Sequence, residues 1–179
     1  MDSLNLSKLF LEIYTLPQPV IAVVYGAAIA GGCGLASVCD FIISEPDALF
    51  GYPEVKIGFV AALVSVFLIR QIGERKAREM LLSGRLLNAE EALKKGLISS
   101  VVKKEKLKEA ARELSRVLIK NSPLAMAESK KILSASVYKD IETELELLAR
   151  INAKFRETDD FLEGISAFLE KRSPQWSRV

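Results

Sequence analysis

The sequence predicts an α/β fold in which a sheet-containing core is followed by a helical tail. Short aliphatic runs without polar residues alternate with helical segments in the first hundred residues, a pattern typical of buried strands. From Ser65 onward, apolar residues recur almost entirely at helical spacing. With 179 residues, half of them hydrophobic, the chain can bury one sizeable core. We predict a core over residues 1–102 and a helical region over residues 103–179.

Helix and strand signals divide the core. Residues 3–16 have apolar side chains at helical spacing, and two prolines end that helix. Residues 20–25 are apolar and rich in β-branched side chains, which predicts a strand buried on both faces. Further elements are a short buried helix over residues 35–38 and strands over residues 41–44 and 48–50.

The second half carries stronger local signals. A helix over residues 74–82 should end at a left-handed Gly84. Asn88 and Glu91 have the spacing of a capping box, whose helix should end at Gly96. Pro123 suits the first position of a helix. The remaining predictions are a strand over residues 97–102 and helices over residues 105–121, 141–155 and 161–171.

Composition excludes several functions. With 25 basic and 23 acidic residues, the chain has no overall field that would attract nucleic acid or a charged membrane. Residues 57–69 form an apolar run that is too short to span a bilayer. The first sixteen residues lack the basic start of a secretory leader. We therefore expect a soluble cytoplasmic protein with no nucleic-acid or membrane partner.

The absence of histidine limits the chemistry further. The sequence contains no histidine and two cysteines, which excludes Ser–His–Asp and Cys–His catalysis and most zinc sites. We predict no metal site, and we interpret Cys33 and Cys39 as small buried hydrophobic residues. Carboxylates, backbone amides, hydroxyls and lysines remain as chemical groups.

Glycines cluster between Gly26 and Gly34, at a predicted strand-to-helix junction. Small residues let a ligand approach the backbone, and a helix start offers N–H groups that have no partner within the helix. Such a site suits an oxygen that becomes anionic during a reaction. Tight packing of the backbone explains the same glycines equally well.

Glu54 follows Pro53 within the apolar segment 50–59. Burial would raise the pKa of its carboxyl, as a proton-transferring group requires. The alternative is a first-turn glutamate that stabilises a helix N-terminus.

Four motifs in order resemble the enoyl-CoA hydratase/isomerase (crotonase) family. The first is V-I-A-V-V-Y-G at residues 20–26, followed by A-I-A-G-G-C-G-L-A at 28–36 and C-D at 39–40. F-G-Y-P-E follows at 50–54. The third motif joins S-G-R at 83–85, A-E-E-A at 89–92 and G-L-I at 96–98. E-G-I-S-A-F-L-E-K-R at 163–172 is the fourth.

The resemblance implies a ClpP/crotonase-like fold of ββα units and chemistry on an acyl-CoA thioester. By position, the Gly31 N–H would hold the thioester oxygen as it becomes an enolate, and Glu54 would be a catalytic acid/base. Ile57, Gly58, Ala61 and Ala62 would line the acyl pocket. Phe168 and Lys171 match places near the CoA head group, often reached from a neighbouring subunit. The family assembles as trimers and hexamers and needs no cofactor, because CoA is part of the substrate.

Departures from the family pattern bear on the activity. Gly34 stands where the family's hydratases carry their first glutamate, Tyr25 replaces an asparagine, and Ala30 replaces the first glycine of a triplet. One carboxylate leaves room for double-bond isomerisation, or for hydration of branched substrates. The resemblance also places Ser3 inside the family's domain, so we expect the strands that precede it, with a second oxyanion donor, to be missing. A non-catalytic or truncated oligomerising relative is the alternative function.

Overall fold

The computed structural model describes residues 3–137 and 141–176, and it confirms the α/β class. The described residues form six short strands and nine α-helices. The strands are β1 (Ile21–Val24), β2 (Ala27–Ile29), β3 (Phe41–Ser44), β4 (Leu49–Gly51), β5 (Leu87–Asn88) and β6 (Ser100–Val101). The helices are α1 (Ser3–Thr15), α2 (Gly31–Ser37), α3 (Ala62–Ile72), α4 (Glu74–Ser83), α5 (Ala89–Lys95), α6 (Leu107–Ile119), α7 (Pro123–Val137), α8 (Ile141–Phe155) and α9 (Asp159–Glu170).

Successive strands enter two different sheets. One sheet has the order β1-β3-β6 and is parallel throughout. The other has the order β2-β4-β5, in which β2 and β4 are parallel and β5 is antiparallel to β4. Of each two consecutive strands (β1 and β2, β3 and β4, β5 and β6), one therefore lies in each sheet, as the predicted ββα units require. A 3-10 helix (Pro53–Ile57), here called the Glu54 helix, follows β4.

Two strand predictions need correction. β1 was predicted to be buried on both faces, but all four of its residues are half-buried. Within the described residues β1 is an edge strand, with β3 on one side only. The sequence analysis missed β2, because Gly26 and Gly31 bracket a run of small residues that looks like a turn.

Local capping signals are confirmed in the helical half. Gly84 and Gly96 are left-handed C-caps. Asn88 and Glu91 form the reciprocal capping box, with bonds of 2.9 and 3.1 Å. Pro123 is the first residue of α7. Other boundaries differ: the strand predicted over 97–102 shrinks to β6, α6 begins at Leu107 after a 3-10 turn (Lys104–Lys106), and α9 begins earlier because Thr158 caps it.

The core lies where the C-terminal helices pack back onto the first half of the chain. α8 packs against both α1 and α3, and α6 packs against β1 and β3. Phe10 of α1 is fully buried, and its ring meets the Phe67 ring of α3 edge-on at 6.2 Å. Leu145 and Ala149 of α8 complete this core. The division at residue 102 stays a prediction.

α9 is docked directly on the Glu54 helix. A Cβ added at Gly164 would lie 2.3 Å from the Ile57 carbonyl oxygen, and one at Gly58 would lie 2.3 Å from the Asp160 carbonyl oxygen. The two backbones therefore touch where no side chain could fit. The Phe59 and Phe161 rings pack against each other beside this contact, with their centroids 5.2 Å apart.

Candidate active site

Parallel pairing of β2 and β4 brings the two predicted site segments to one edge of a sheet. Ile29 pairs with Gly51, and the Ala30 N–H donates to the Gly51 carbonyl at 2.8 Å. β2 then runs into α2, which starts at Gly31, while β4 runs into the Glu54 helix. Since parallel strands end at the same edge, the start of α2 and the Glu54 helix emerge side by side.

The start of α2 presents backbone N–H groups that have no partner within the helix. Ala30 has φ 53° and ψ −125°, a conformation that a non-glycine residue rarely adopts. The first intrahelical bond runs from Gly34 N to the Ala30 carbonyl at 2.9 Å, so the N–H groups of Gly31 and Gly32 precede the helical ladder. A Cβ at either glycine would meet no heavy atom of the described chain within 4 Å. Tight packing therefore does not explain Gly31 and Gly32.

Glu54 is partly buried and incompletely paired. Its Oε2 atom is buried and has no hydrogen-bond partner among the described residues. Burial raises the pKa of the carboxyl above its ordinary value, and a bond with its own backbone N–H opposes this effect more weakly. A carboxyl in this environment can hold a proton closer to neutral pH than an exposed glutamate can. Raised carboxyl pKa values of this kind are common at catalytic sites.

A buried cluster connects the Glu54 helix with α2. The Tyr52 hydroxyl donates to Ser37 Oγ at 3.2 Å, and the Ser37 hydroxyl donates to the Gly34 carbonyl at 2.9 Å. Burial raises the pKa of the Cys33 thiol to about 11, and burial also raises the pKa of the fully buried Tyr52 phenol. Both groups are neutral at physiological pH, so the cluster positions the site and supplies no nucleophile.

Gly34 packs against two helices. A Cβ there would lie 2.6 Å from Val64 Cγ1 and 2.9 Å from Phe10 Cζ. A glutamate at this position would displace Phe10 from the core. The structure thus gives a packing reason for the absence of a side chain at Gly34, because Phe10 and Val64 occupy the space that it would need.

An apolar cavity of about 640 Å³ lies beside the Glu54 helix. Of the four residues predicted to line an acyl pocket, Gly58, Ala61 and Ala62 are in its wall, while Ile57 is not. The Ile57 backbone lies instead against Gly164 of α9. Sequence reasoning missed the rest of the wall, which includes Tyr52, Leu81, Leu148, Phe155 and Trp176. Apart from Leu148 and Phe155, which both lie on α8, these residues come from separate parts of the fold that no local pattern links.

Phe168 and Lys171 are not brought to this cavity. The Phe168 side chain is 69% exposed. Lys171 is exposed and ends α9 in a left-handed conformation with φ 55°. Neither residue lines the cavity wall. Their predicted role near a CoA head group therefore concerns another part of the surface or another subunit.

Neither a metal-binding cluster nor a membrane span is found among the described residues. No group of three or more histidine, cysteine, aspartate or glutamate side chains there could hold a metal ion. No helix in the same part of the chain is long and apolar enough to cross a membrane. The cysteines are free thiols, Cys33 buried and Cys39 half-buried.

The two-sheet ββα core, with a partly buried carboxyl after β4 and a helix start after β2, defines an α/β protein with a candidate site for acid/base chemistry. Residues 2–178 match the family model described as enoyl-CoA hydratase/isomerase. The chain therefore belongs to that family, as the four motifs predicted.

Individual relatives agree with this assignment. A relative from Thermus thermophilus, provisionally named an enoyl-CoA hydratase, is 46% identical over 174 residues, covering 97% of this chain and 69% of the relative. A carnitinyl-CoA dehydratase of Salmonella typhi is 38% identical over 170 residues, covering 92% of this chain and 65% of that protein. The crystal structure of an enoyl-CoA hydratase from Mycobacterium avium superposes with a TM-score of 0.90 at 32% identity, covering 98% of this chain and 69% of that one. The chain thus spans about two thirds of the length of these relatives.

Proposed function

We propose that this chain binds an acyl-CoA thioester and catalyses proton transfer on its acyl group, with Glu54 as the single acid/base. The observation that carries the proposal is the partly buried Glu54 carboxyl, whose Oε2 atom is buried without a partner in the described structure. Its raised pKa suits a group that must take up and return a proton. Family membership and the names of the relatives supply the substrate class.

Gly31 completes the proposed chemistry. When a proton leaves or joins the acyl chain next to the thioester carbonyl, negative charge moves onto the carbonyl oxygen. A backbone N–H aimed at that oxygen stabilises the enolate. The Gly31 N–H precedes the α2 ladder, and a Cβ added at Gly31 would meet no heavy atom of the described chain within 4 Å. The apolar cavity that includes Gly58, Ala61 and Ala62 would take the acyl chain.

One carboxylate is sufficient for either of two reactions. In isomerisation, Glu54 takes a proton from one carbon of the acyl chain and returns it to another, which moves the double bond. In hydration, Glu54 takes a proton from water as the hydroxyl adds to C3, and Glu54 then returns that proton to C2 of the enolate. The packing around Gly34 leaves no room for a second glutamate there. Isomerisation is therefore the reaction to test first.

The test measures the absorbance of the conjugated enoyl thioester. Isomerisation of a non-conjugated enoyl-CoA should raise the absorbance, while hydration of crotonyl-CoA should lower it. Glu54→Gln should reduce whichever turnover is found by about 10²-fold or more, because the acid/base group is lost. The exposed Glu128→Gln is the matched control and should retain turnover. Turnover that survives Glu54→Gln would refute the acid/base role.

The second candidate function is that of a non-catalytic oligomerising relative. It is favoured by Gly34, which stands in place of the family's first glutamate. The space that a side chain would need there is filled by Phe10 and Val64. Binding of acyl-CoA without turnover in either assay would support it and would refute the enzymatic proposal.

A homotrimer or hexamer is part of the proposal. The α9 residues Leu162, Phe168 and Leu169 are 59%, 69% and 74% exposed. Exposed apolar groups concentrated on one helix mark an interaction surface. In an oligomer, Phe168 and Lys171 could reach the CoA head group bound to a neighbouring subunit.

A further inference from the structure

The wall of the apolar cavity includes one residue that follows the last described helix of the chain. Trp176 lies beyond α9 and lines the cavity together with residues of the Glu54 helix, α3, α4 and α8. The cavity volume of about 640 Å³ falls in the range of small-molecule sites. Trp176 is the only tryptophan in the sequence, and its side chain is 41% exposed. Its indole thus stands between the cavity and solvent.

Residues 171–176 reverse direction at the end of α9 and run back along it. Lys171 adopts the left-handed conformation, and the Arg172 N–H donates to the Ala167 carbonyl at 3.0 Å. This is the hydrogen bond of a Schellman turn. It directs the following residues back toward the N-terminal half of α9. We call residues 171–176 the strap.

Glu163 holds the strap at two points. Its carboxylate accepts two bonds from the Arg172 guanidinium, at 2.6 and 2.9 Å. It also accepts a bond from the Gln175 backbone N–H at 2.7 Å. A bidentate guanidinium pair fixes orientation as well as distance. The residue before Trp176 is thereby tied directly to α9.

The base of the strap is itself docked on the proposed catalytic segment. Gly164, next to Glu163, lies against the Ile57 backbone at the end of the Glu54 helix. The indole is therefore positioned relative to Glu54 through a short series of contacts: Trp176, Gln175, Glu163, Gly164 and Ile57. Each step is a covalent bond, a hydrogen bond or a backbone contact.

The cavity chemistry suits an apolar occupant. The Ser65 hydroxyl in its wall donates to the Ala62 carbonyl at 2.6 Å, and the Tyr52 hydroxyl donates to Ser37. The aliphatic and aromatic side chains of Leu81, Leu148 and Phe155 make up much of the remaining wall. A hydrocarbon chain bound in the cavity would therefore lie against apolar side chains, the Trp176 indole among them.

We propose that Trp176, held in place by the strap, sets the length of the apolar chain that the cavity accepts. Identifying that chain as the acyl group of a CoA thioester rests on the function proposed above. Trp176 is thus a specificity-determining residue whose effect depends on chain length and not on the proton transfer.

The first experiment compares chain lengths. The kcat/KM values for crotonyl-CoA and for a decenoyl-CoA are measured with the wild type, Trp176→Ala and Trp176→Phe. We expect Trp176→Ala to raise the preference for the longer chain by about tenfold or more. Trp176→Phe should fall between the two. Ile119→Ala, an exposed apolar change away from the cavity, should leave the ratio unchanged. An unchanged ratio in Trp176→Ala would overturn the proposal.

The second experiment reads binding without turnover. Because Trp176 is the only tryptophan, the intrinsic emission of the wild type reports on this one position. Decanoyl-CoA, which has no double bond to react, should change the emission saturably, while free CoA should not. Glu163→Gln should weaken this change because the strap loses the carboxylate that holds it, whereas Glu128→Gln, whose exposed carboxylate pairs with Lys131 of α7, should preserve it.

The outcomes separate this inference from the proposed function. An emission change without turnover of any enoyl-CoA would support the proposed role of Trp176 and refute the enzymatic proposal. Turnover with unchanged emission on binding decanoyl-CoA would refute the proposed role of Trp176 and leave the enzymatic proposal intact. Absence of both responses would refute both. Should Trp176→Ala fail to fold, the wild-type emission measurement still decides.

Discussion

At the scale of single residues, the environment of Glu54 favours one of its two interpretations, the proton carrier that we propose. A first-turn glutamate that serves mainly to stabilise a helix would have its charged form favoured. Burial instead disfavours the charged form, and the opposing bond from its own backbone N–H is weaker. This balance fits a proton carrier kept at some cost to stability.

Glu54→Gln should therefore stabilise the fold at neutral pH. The pKa of Glu54 in the folded state is raised above 4.5, the ordinary value that applies in the unfolded chain. At pH values between the unfolded and the folded pKa, the folded chain holds a proton that the unfolded chain has released. Wild-type stability consequently falls as pH rises through this window. The glutamine variant lacks this loss, so its urea midpoint should exceed the wild-type value at pH 7. The two midpoints should converge at about pH 4, below both pKa values.

Urea titrations at several pH values check this expectation, with the exposed Glu128→Gln as the control that should show no such gap. A glutamine variant less stable than the wild type at neutral pH would support the helix-stabilising role of Glu54.

Gly34 shows why a missing side chain needs a structure to explain it. The motif alone shows only that glycine replaces a glutamate. The structure adds that Phe10, twenty-four positions earlier, and Val64, thirty positions later, occupy the space. This is a contact between three elements that only the folded chain brings together.

At the scale of elements, the contact between α9 and the Glu54 helix couples the end of the chain to the candidate site. Gly58 and Gly164 allow the two backbones to touch. The Phe59 ring packs on Phe161 and lies 5.8 Å from the Arg156 guanidinium. An aromatic pair and a cation over an aromatic ring each add a modest stabilisation to this contact.

Gly164→Ala should disrupt this docking. The new methyl group would lie 2.3 Å from the Ile57 carbonyl oxygen, so α9 and the Glu54 helix must move apart. We expect a loss of about 1–3 kcal/mol in the free energy of unfolding, together with lower turnover, because Ile57 lies in the same short helix as Glu54. Urea denaturation and the enoyl-CoA assay measure the two effects.

Gly32→Ala is the matched control for stability, since it also places alanine in a helix. A Cβ at Gly32 meets no heavy atom within 4 Å, and glycine inside a helix costs about 0.5–1 kcal/mol relative to alanine. This variant should therefore be as stable as the wild type or more stable. Equal stability changes in Gly32→Ala and Gly164→Ala would contradict the docking role of Gly164.

At the scale of the whole molecule, the outer face of α9 carries its exposed apolar residues. Phe161, which pairs with Phe59, and Ile165 are half-buried, whereas Leu162, Phe168 and Leu169 are exposed. One side of the helix thus packs on its own chain, and the other is the surface that we propose contacts a second copy.

We expect light scattering to find a homotrimer or hexamer at micromolar concentration. Leu169→Asp should shift the population toward monomer, because it places a charge on the apolar surface. Ser173→Asp adds the same charge at an exposed polar residue nearby and should leave the assembly unchanged. A compact monomer in the wild type would contradict this prediction.

Many features were predictable from sequence because they depend on neighbours along the chain. The caps at Gly84, Asn88 and Gly96 follow from local backbone chemistry. The ordered motifs were sufficient to identify the family, and hence the α/β fold. The motif containing Glu54 placed a lone carboxylate among apolar residues, which predicted its raised pKa.

Only the tertiary structure decided what surrounds these residues. β2 exists because its backbone pairs with β4 and β4 pairs with β5. Phe10 and Val64 fill the space at Gly34, and Gly164 brings α9 onto the Glu54 helix. Trp176 lines the cavity wall, and the neighbouring Gln175 N–H donates to the Glu163 carboxylate. Each of these outcomes depends on surfaces that meet across long stretches of sequence, so its energy appears only when the chain is folded.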